Sequence, residues 1–269
     1  MLVFLIIVIL LFTLYIFSTI GRTGHHGLQR LRNWSYAHRG LHGDGVPENS
    51  MAAFRKAKDS GYGVELDIHL LTDGNLAVIH DSRLNRTTGA DGFVEDLTAE
   101  QLKNYHLENT DETIPEFRQV LDLFAGQVPL IVELKCERNN YSQLCEAACE
   151  MLDDYDGVFC MESFDPRCVY WLRKNRPDII RGQLTENYFA SANSKLPWYL
   201  KFALKNQMLN FLTLPDFVAY RFKDRKTVSN VLCRKLWGVQ GISWTLKDRL
   251  QYDVACDEGW LPIFEGFEP

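Results

Sequence analysis

The sequence predicts an α/β protein whose main domain is a TIM (β/α)8 barrel with a small insertion after the second strand. From about residue 34 onward, short apolar runs alternate with helical patterns, as in a chain of βα units. Eight such runs fit within about 235 residues, and this number of strands and this chain length are typical of a closed (β/α)8 barrel. They lie near residues 36, 65, 131, 160, 181, 217, 242 and 263. An open doubly wound sheet is the rival fold, but no GxGxxG sequence follows the first strand.

Composition limits the classes of protein to which the chain can belong. Its 269 residues, 46% hydrophobic and 24% charged, are enough for one large globular domain. A formal net charge of −6 gives no reason to expect a nucleic-acid partner. The seven cysteines include no CxxC pair, so the spacing of a cysteine zinc site is missing, and unpaired thiols fit a reducing compartment. No feature of the sequence predicts a protein partner.

The N-terminus predicts a membrane anchor. No charged side chain occurs between Met1 and Ile20, and about 20 apolar residues span a bilayer core. A basic start and a small-residue cleavage site are not evident, although an uncleaved signal peptide remains an alternative. We therefore predict one transmembrane helix at 1–21, a basic linker at 22–33 and the barrel domain at 34–269. Arginines follow the helix, so the positive-inside rule favours a single-pass cell-membrane protein with its barrel on the cytoplasmic face.

The second predicted strand carries the most informative pattern in the chain. Polar and apolar residues alternate there, so Glu65, Asp67 and His69 share one side of the strand. An Asp-Gly turn and a short apolar run follow, and this predicted hairpin returns His80 to the same neighbourhood. Paired carboxylates repel each other unless a cation or a shared proton holds them. Such a cluster is typical of a metal site or of proton transfer.

The remaining elements follow in order along the chain. Asn49 or Ser50 is a candidate N-cap for a helix at 51–60. The polar residues 82–113 are interpreted as an insertion outside the main repeat. Further helices are predicted near residues 115–125, 141–153, 166–175, 197–210, 224–236 and 247–258. In a barrel, functional residues lie at the carboxyl ends of strands. The candidates in such positions are His38, Glu65, Asp67, Glu133, Lys135, Ser163 and Trp244.

Several motifs together resemble the glycerophosphodiester phosphodiesterase family. They are His38-Arg39-Gly40, Pro47-Glu48-Asn49-Ser50, Ala53-Phe54, Glu65-Leu66-Asp67, Thr72-Asp73-Gly74, His80-Asp81, Leu84-Asn85-Arg86-Thr87-Thr88-Gly89 and Glu133-Leu134-Lys135. The resemblance runs from about Tyr36 to Thr245. It implies a TIM-barrel hydrolase that uses a divalent cation to cleave a phosphodiester into an alcohol and glycerol 3-phosphate.

The resemblance also implies roles for individual residues. Glu65, Asp67 and Glu133 would hold the cation, Ca²⁺ or Mg²⁺, and His38 and His80 would form the acid–base pair. Arg39 and Lys135 would contact the phosphate, and Trp244 would either pack over the glycerol or close the barrel mouth. A cation and an arginine suit a transition state that gathers negative charge. Which histidine is the acid, and whether water or the glycerol hydroxyl attacks, stays open. His42 and His69 have no matching role.

The chain departs from the family pattern near its C-terminus. Trp244-Thr245-Leu246-Lys247 and Ile263-Phe264-Glu265-Gly266-Phe267 stand where relatives tend to have Trp-Thr-Val-Asn and Thr-Asp-x-Pro. The helix start at Ile114-Pro115-Glu116-Phe117 also differs from the usual Pro-Thr-Leu. We expect neither this change nor the C-terminal ones to touch a proposed metal or acid–base residue. Two other functions remain as alternatives. One is a phospholipase-like barrel acting on lysophospholipids or phosphoinositides. The other is a catalytically silent binding module, which the presence of all three carboxylates and both histidines disfavours.

Overall fold

The computed structural model describes residues 1–190 and 196–269. Within these residues, eight parallel strands close into a barrel, because β1 pairs with both β2 and β9. A further short strand, β3, pairs antiparallel with β2. The strands are β1 Tyr36–His38, β2 Gly63–Leu70, β3 Leu76–Val78, β4 Leu130–Leu134, β5 Phe159–Ser163, β6 Arg181–Thr185, β7 Phe217–Arg221, β8 Gln240–Leu246 and β9 Trp260–Phe264. The predicted barrel and each of its eight strand positions are confirmed.

Helices connect the strands and cover the outside of the barrel. They are α1 Leu2–Ser18, α2 Leu28–Leu31, α3 Met51–Asp59, α4 Asn85–Thr88, α5 Ala99–Leu102, α6 Phe117–Phe124, α7 Tyr141–Asp153, α8 Pro166–Asn175, α9 Trp198–Lys205, α10 Asn210–Thr213, α11 Val228–Val231 and α12 Arg249–Asp257. The helix predicted at 197–210 is two helices, α9 and α10. The helix predicted at 224–236 is α11 followed by a π-helical turn, Leu232–Leu236.

The strands read as apolar runs because they are buried on both sides. Side chains of Tyr36, Ile131, Phe217 and Ile242 fill the barrel interior. A second layer, which includes Phe54 of α3, packs between the strands and the helices. Polar side chains at the carboxyl ends of the strands are therefore held on a rigid base.

The insertion is fastened to the hairpin by a buried polar contact. His69 Nδ1 lies 2.6 Å from Glu95 Oε1, and Glu95 belongs to a short 3-10 turn, Val94–Asp96, within the insertion. His69 Nε2 lies 3.2 Å from the backbone oxygen of His80. His69 thus faces the insertion, and it helps to hold the loop that carries His80.

The predicted transmembrane helix at 1–21 is not found at its expected length. Helix α1 has 17 residues, from Leu2 to Ser18. At 1.5 Å per residue it is about 26 Å long, which is shorter than a hydrocarbon core of about 30 Å. Among the described residues, none of the helices is both long enough and apolar enough to cross a bilayer. The predicted location at the cytoplasmic face of the cell membrane stays a prediction.

The segment at 22–33, expected to be a basic linker, packs against the barrel floor. Arg22 donates from Nε and Nη2 to the two carboxylate oxygens of Asp216, each at 2.5 Å. It also donates to the backbone oxygens of Pro177 and Ile179. The Asp216 side chain has no exposed surface, whereas 24% of the Arg22 side chain is exposed. This bidentate pair ties the N-terminal segment to the start of β7.

We expect Arg22→Ala to lower the free energy of unfolding by about 2–3 kcal/mol, since it leaves a buried carboxylate without its charged partner. This expected loss of stability is smaller than the loss for a fully buried ion pair because solvent reaches Arg22. Urea unfolding of the two proteins measures the difference. Arg30→Ala is the matched control, because Arg30 is exposed. An equal loss of stability in both variants would show that the pair with Asp216 is unimportant.

Candidate active site

Three carboxylates converge at the carboxyl ends of β2 and β4. Glu65 and Asp67 lie two residues apart on β2, and the parallel register places Glu133 of β4 beside Asp67. One carboxylate oxygen from each of the three lies within 4.8 Å of the others. Between 1% and 6% of the surface of each residue is exposed. The structure thus brings together all three residues that the sequence suggested as metal ligands.

Burial and mutual repulsion make this cluster electrostatically costly. Loss of hydration, together with the neighbouring charges of Asp67 and Glu133, raises the pKa of Glu65 well above its usual value. Burial also raises the pKa of Glu133. At Asp67 burial acts in the same direction, but the charges of Lys135, His80 and Arg39 outweigh it and hold its pKa well below the usual value. A divalent cation would relieve this repulsion, and an all-oxygen donor set suits Ca²⁺ or Mg²⁺.

Two basic side chains lie directly against the carboxylates. Lys135 Nζ is 2.9 Å from Asp67 Oδ1 and 2.7 Å from Glu133 Oε1. Arg39 Nε is 3.5 Å from Asp67 Oδ2, while Arg39 Nη1 donates to Glu48 Oε1 at 3.0 Å. Both residues were expected to contact phosphate. In this structure their charges balance two of the three acidic groups, and Arg39 also lines the cavity described below.

The two candidate acid–base histidines are each held by a carboxylate. His38 Nδ1 lies 2.5 Å from Glu265 Oε2, and His80 Nδ1 lies 2.6 Å from Asp81 Oδ1. An ionised carboxylate can only accept hydrogen bonds, so each Nδ1 carries the proton and each Nε2 is left for other partners. Burial lowers the pKa of His38 to about 4, so its imidazole is neutral near pH 7.

One cavity at the barrel mouth is lined by six of the eight candidate residues, and Asp67 and Lys135 are not part of its lining. It is lined by His38, Arg39, Glu65, His80, Glu133, Glu162, Phe164, Leu184, Trp244 and Ile263. The indole of Trp244 packs edge-on against Phe164, with ring centres 5.6 Å apart and planes at 90°. Trp244 therefore forms a fixed wall beside the two histidines. His42 lies near His38 and Glu265 but does not line this cavity.

The structure adds two residues that sequence reasoning did not assign to the site. Asn49 and Ser50 were the two candidate caps of α3, and Ser50 is the cap, accepting from the Ala53 N–H at 3.1 Å. Asn49 instead donates from Nδ2 to Asp67 Oδ2 at 2.8 Å. Glu162 is the next-to-last residue of β5 and pairs in register with Glu133, and burial raises its pKa well above the usual value. Its place near a strand end is the signal that could have found it.

We expect Asn49→Gly to weaken cation binding about tenfold, because groups that orient a metal ligand typically contribute that much or more. Glycine is the appropriate replacement, since Asn49 has a φ of +52° and an alanine would add backbone strain. Titration calorimetry with Ca²⁺ and with Mg²⁺ measures the affinity. Asn104→Gly, in an exposed position after α5, serves as a control for a general glycine effect. Unchanged affinity would mean that the bond to Asp67 does not support ligation.

The C-terminal departures from the family pattern do reach an acid–base residue. The expectation that they leave these residues untouched is wrong, because Glu265 contacts His38 directly. The error arose because β9 pairs with β1, which brings the residue after β9 beside the end of β1. Lys247 in turn contacts the other oxygen of Glu265.

Comparisons with known proteins agree with this geometry. Residues 38–263 match the sequence pattern of the "Glycerophosphoryl diester phosphodiesterase family". A "Glycerophosphodiester phosphodiesterase" of Bacillus altitudinis is 42% identical over 113 residues, which cover 39% of this chain and 46% of that relative. A protein of the same name from Caldanaerobacter subterraneus subsp. tengcongensis is 30% identical over 195 residues, covering 68% of this chain and 78% of that relative.

A solved structure extends the likeness to the fold. The phosphodiesterase of Oleispira antarctica, in complex with the product sn-glycerol-3-phosphate, superposes with a TM-score of 0.72. The match covers 91% of this chain and 95% of that one at 22% identity, so it supports the barrel fold alone. The family match extends from His38, at the end of the first barrel strand, to Ile263 in the last. The chain therefore belongs to the glycerophosphoryl diester phosphodiesterase family.

Proposed function

We propose that this chain is a cation-dependent enzyme that hydrolyses glycerophosphodiesters to an alcohol and glycerol 3-phosphate. The observation that carries the proposal is one cavity in which buried carboxylates lie beside two imidazoles, each with its Nδ1 held by a carboxylate. Family membership supports the reaction class. The Oleispira antarctica phosphodiesterase, whose structure is a complex with the product sn-glycerol-3-phosphate, supports the substrate class.

Glu65, Asp67 and Glu133 would hold the cation, with Asn49 orienting Asp67. When bound, a divalent cation supplies positive charge that stabilises the developing charge on the phosphoryl oxygens. Once the cation has replaced the proton of Glu65, the three carboxylates and the two basic groups Arg39 and Lys135 sum to about one negative charge. A doubly charged ion reverses that sign, which makes the cavity complementary to a singly charged phosphodiester. Arg39 lines this cavity and would bind a phosphoryl oxygen.

We assign His38 as the general base and His80 as the general acid. His38 is the more deeply buried of the two and lies next to the acidic cluster, so its neutral Nε2 can accept the proton of the attacking oxygen. His80 lies nearer to solvent, with 32% of its side chain exposed, where an alcohol product can leave. In this scheme the proton taken up at His38 comes from the nucleophile. The proton lost by His80 goes to the oxygen of the departing alkoxide.

A substrate panel with and without chelator tests the function. We expect glycerol 3-phosphate to be released from glycerophosphocholine, glycerophosphoethanolamine or glycerophosphoinositol in the presence of Ca²⁺ or Mg²⁺, and the activity to disappear with EDTA. A lysophospholipid is included in the panel. Cleavage of the lysophospholipid alone would favour the phospholipase-like alternative, and no cleavage of any substrate would leave the silent binding module. The two cations are compared after complete removal of metal.

The cation should stabilise the protein more strongly as the pH rises. The folded-state pKa of Glu65 lies above 4.5, its usual value in an unfolded chain. The stability that its bound proton contributes is therefore fully present below pH 4.5. It is lost as the pH rises through the folded-state pKa. Without a cation, the free energy of unfolding should therefore fall as the pH rises above 4.5 and through the raised folded-state pKa of Glu65. A saturating cation replaces the proton and adds about 3 kcal/mol at a hundredfold excess over its dissociation constant.

Thermal unfolding at several pH values measures this effect. The increase in Tm caused by Ca²⁺ or Mg²⁺ should reach about 5–10 °C at the upper end of the range and be small at the lower end. Sodium chloride at matched ionic strength is the control for general screening. An increase in Tm that is the same at every pH would contradict competition between cation and proton at these carboxylates.

A further inference from the structure

The carboxylate of Glu265 lies between one candidate catalytic side chain and one exposed lysine. Its Oε2 is 2.5 Å from His38 Nδ1, and its Oε1 contacts Lys247 Nζ. Glu265 is only partly exposed, with 21% of its side chain accessible, compared with 55% for Lys247. Glu265 comes directly after β9, and Lys247 comes directly after β8. The two strands that flank β9, which are β1 with His38 and β8 followed by Lys247, thus each supply the partner of one oxygen of this carboxylate.

This contact fixes the orientation of the His38 ring. The imidazole ring of a histidine can rotate about χ2, and a hydrogen bond at Nδ1 removes most of that rotational freedom. With Nδ1 on Glu265, the opposite ring nitrogen points toward the acidic cluster, and Nε2 lies 3.8 Å from Glu65 Oε2. The contact between His80 Nδ1 and Asp81 is the same arrangement at the other histidine. Asp81 is adjacent to His80 in sequence, whereas Glu265 is 227 residues from His38.

We propose that Glu265 is the positioning residue for His38 and that Lys247 holds Glu265 in place. The inference rests on the proposed function, because it concerns a residue for that same reaction. Glu265 does not line the catalytic cavity, so it acts through His38 and not on the substrate. Both partners lie in the two segments where the chain departs from the family pattern. A lysine at 247 is suited to an acidic residue at 265, since it neutralises a carboxylate that burial would otherwise disfavour.

Glu265→Ala removes the acceptor and frees the His38 ring. We expect kcat to fall about a hundredfold, the cost of a misplaced catalytic group, while KM changes less than about threefold. Glu265→Gln keeps an acceptor oxygen at the same distance along the side chain, so it should recover most of the loss and remain within about tenfold of the natural protein. Lys247→Met should lower kcat only about threefold, because Lys247 is exposed and acts through Glu265. Glu268→Gln is the control, an exposed acid three residues further on.

Two results would overturn the proposal. The first is a Glu265→Ala protein with kcat within about threefold of the natural value. The second is a loss of kcat that is as large in Glu265→Gln as in Glu265→Ala, together with a loss of thermal stability that is the same in both variants. That result would indicate a merely structural role. If the natural protein hydrolyses no ester of the panel, the proposed function fails independently of this result.

A spectroscopic measurement tests the positioning without any turnover. Long-range ¹⁵N–¹H spectra of the protein labelled at its histidines report which ring nitrogen carries the proton. We expect His38 to be protonated at Nδ1 in the natural protein and in Glu265→Gln, and to show a mixture of the two neutral tautomers in Glu265→Ala. His38→Gln assigns the resonance by its disappearance. Identical His38 spectra in the natural and Glu265→Ala proteins would refute the proposal, whether or not a substrate is known.

Discussion

Replacing Glu65 by Gln will reduce kcat/KM for glycerophosphodiesters at least about a thousandfold while the barrel remains folded. The variant loses a charged cation ligand at the position where the transition state needs positive charge, a contribution of several kcal/mol, and each 1.4 kcal/mol corresponds to tenfold in rate. Gln has the size of a protonated Glu. Because burial and the neighbouring carboxylates already raise the pKa of Glu65, the fold accommodates an uncharged side chain there.

The stability of the variant separates this explanation from unfolding. In EDTA, Glu65→Gln should unfold at a temperature equal to or higher than that of the natural protein, since Gln is uncharged at every pH, whereas Glu65 repels Asp67 and Glu133 whenever it ionises. With saturating cation the order should reverse, because the natural protein alone gains the full binding energy. Glu100→Gln, on an 85% exposed side chain, is the matched control. A Glu65→Gln protein that retains natural activity and cation affinity would refute the proposed metal site.

The pairing of Glu65 with Asp67 could be predicted from regular structure alone, whereas Glu133 was predicted as the third ligand through the family resemblance and its position at a strand end. Period-two alternation places Glu65 and Asp67 on one side of β2, and Glu133 lies at the equivalent level of the next parallel strand. The hairpin returns His80 for the same reason, since an Asp-Gly turn fixes the register of β3. Wherever strand period and strand order decide a position, the local sequence is sufficient.

The supporting residues could not be predicted because loops and chain closure decide their positions. The sequence left the cap of α3 open between Asn49 and Ser50, and it did not show that Asn49, with its positive φ, donates to Asp67. Glu265 reaches His38 only because β9 closes the barrel against β1. At the N-terminus, hydrophobicity indicated a helix but not where it ends. Its last turn is held to the barrel by Trp237, whose Nε1 donates to the Ile16 backbone oxygen at 3.1 Å.

Replacing His80 by Ala will lower kcat/KM about a thousandfold for glycerophosphocholine but less than about tenfold for the p-nitrophenyl ester of glycerol 3-phosphate. An alkoxide must be protonated as it leaves, whereas p-nitrophenolate leaves without a proton. The second substrate therefore bypasses the general acid. His38→Ala should lose activity toward both esters, since the attacking oxygen must be deprotonated in either case.

The two variants and two substrates together assign the roles, because each role makes a different pattern of losses. If His38→Ala is the variant that the better leaving group restores, His38 is the acid and His80 the base, and the assignment from burial is reversed. If neither variant is restored, neither histidine protonates the leaving group. His106→Ala is the control, because His106 is an exposed histidine of the insertion that does not line the cavity. Its Nδ1 lies 3.2 Å from the backbone oxygen of Thr110. The activity of His106→Ala should equal that of the natural protein with both esters. Depth in the barrel and distance from solvent, more than the hydrogen-bond pattern that the two histidines share, would then decide which proton each one moves.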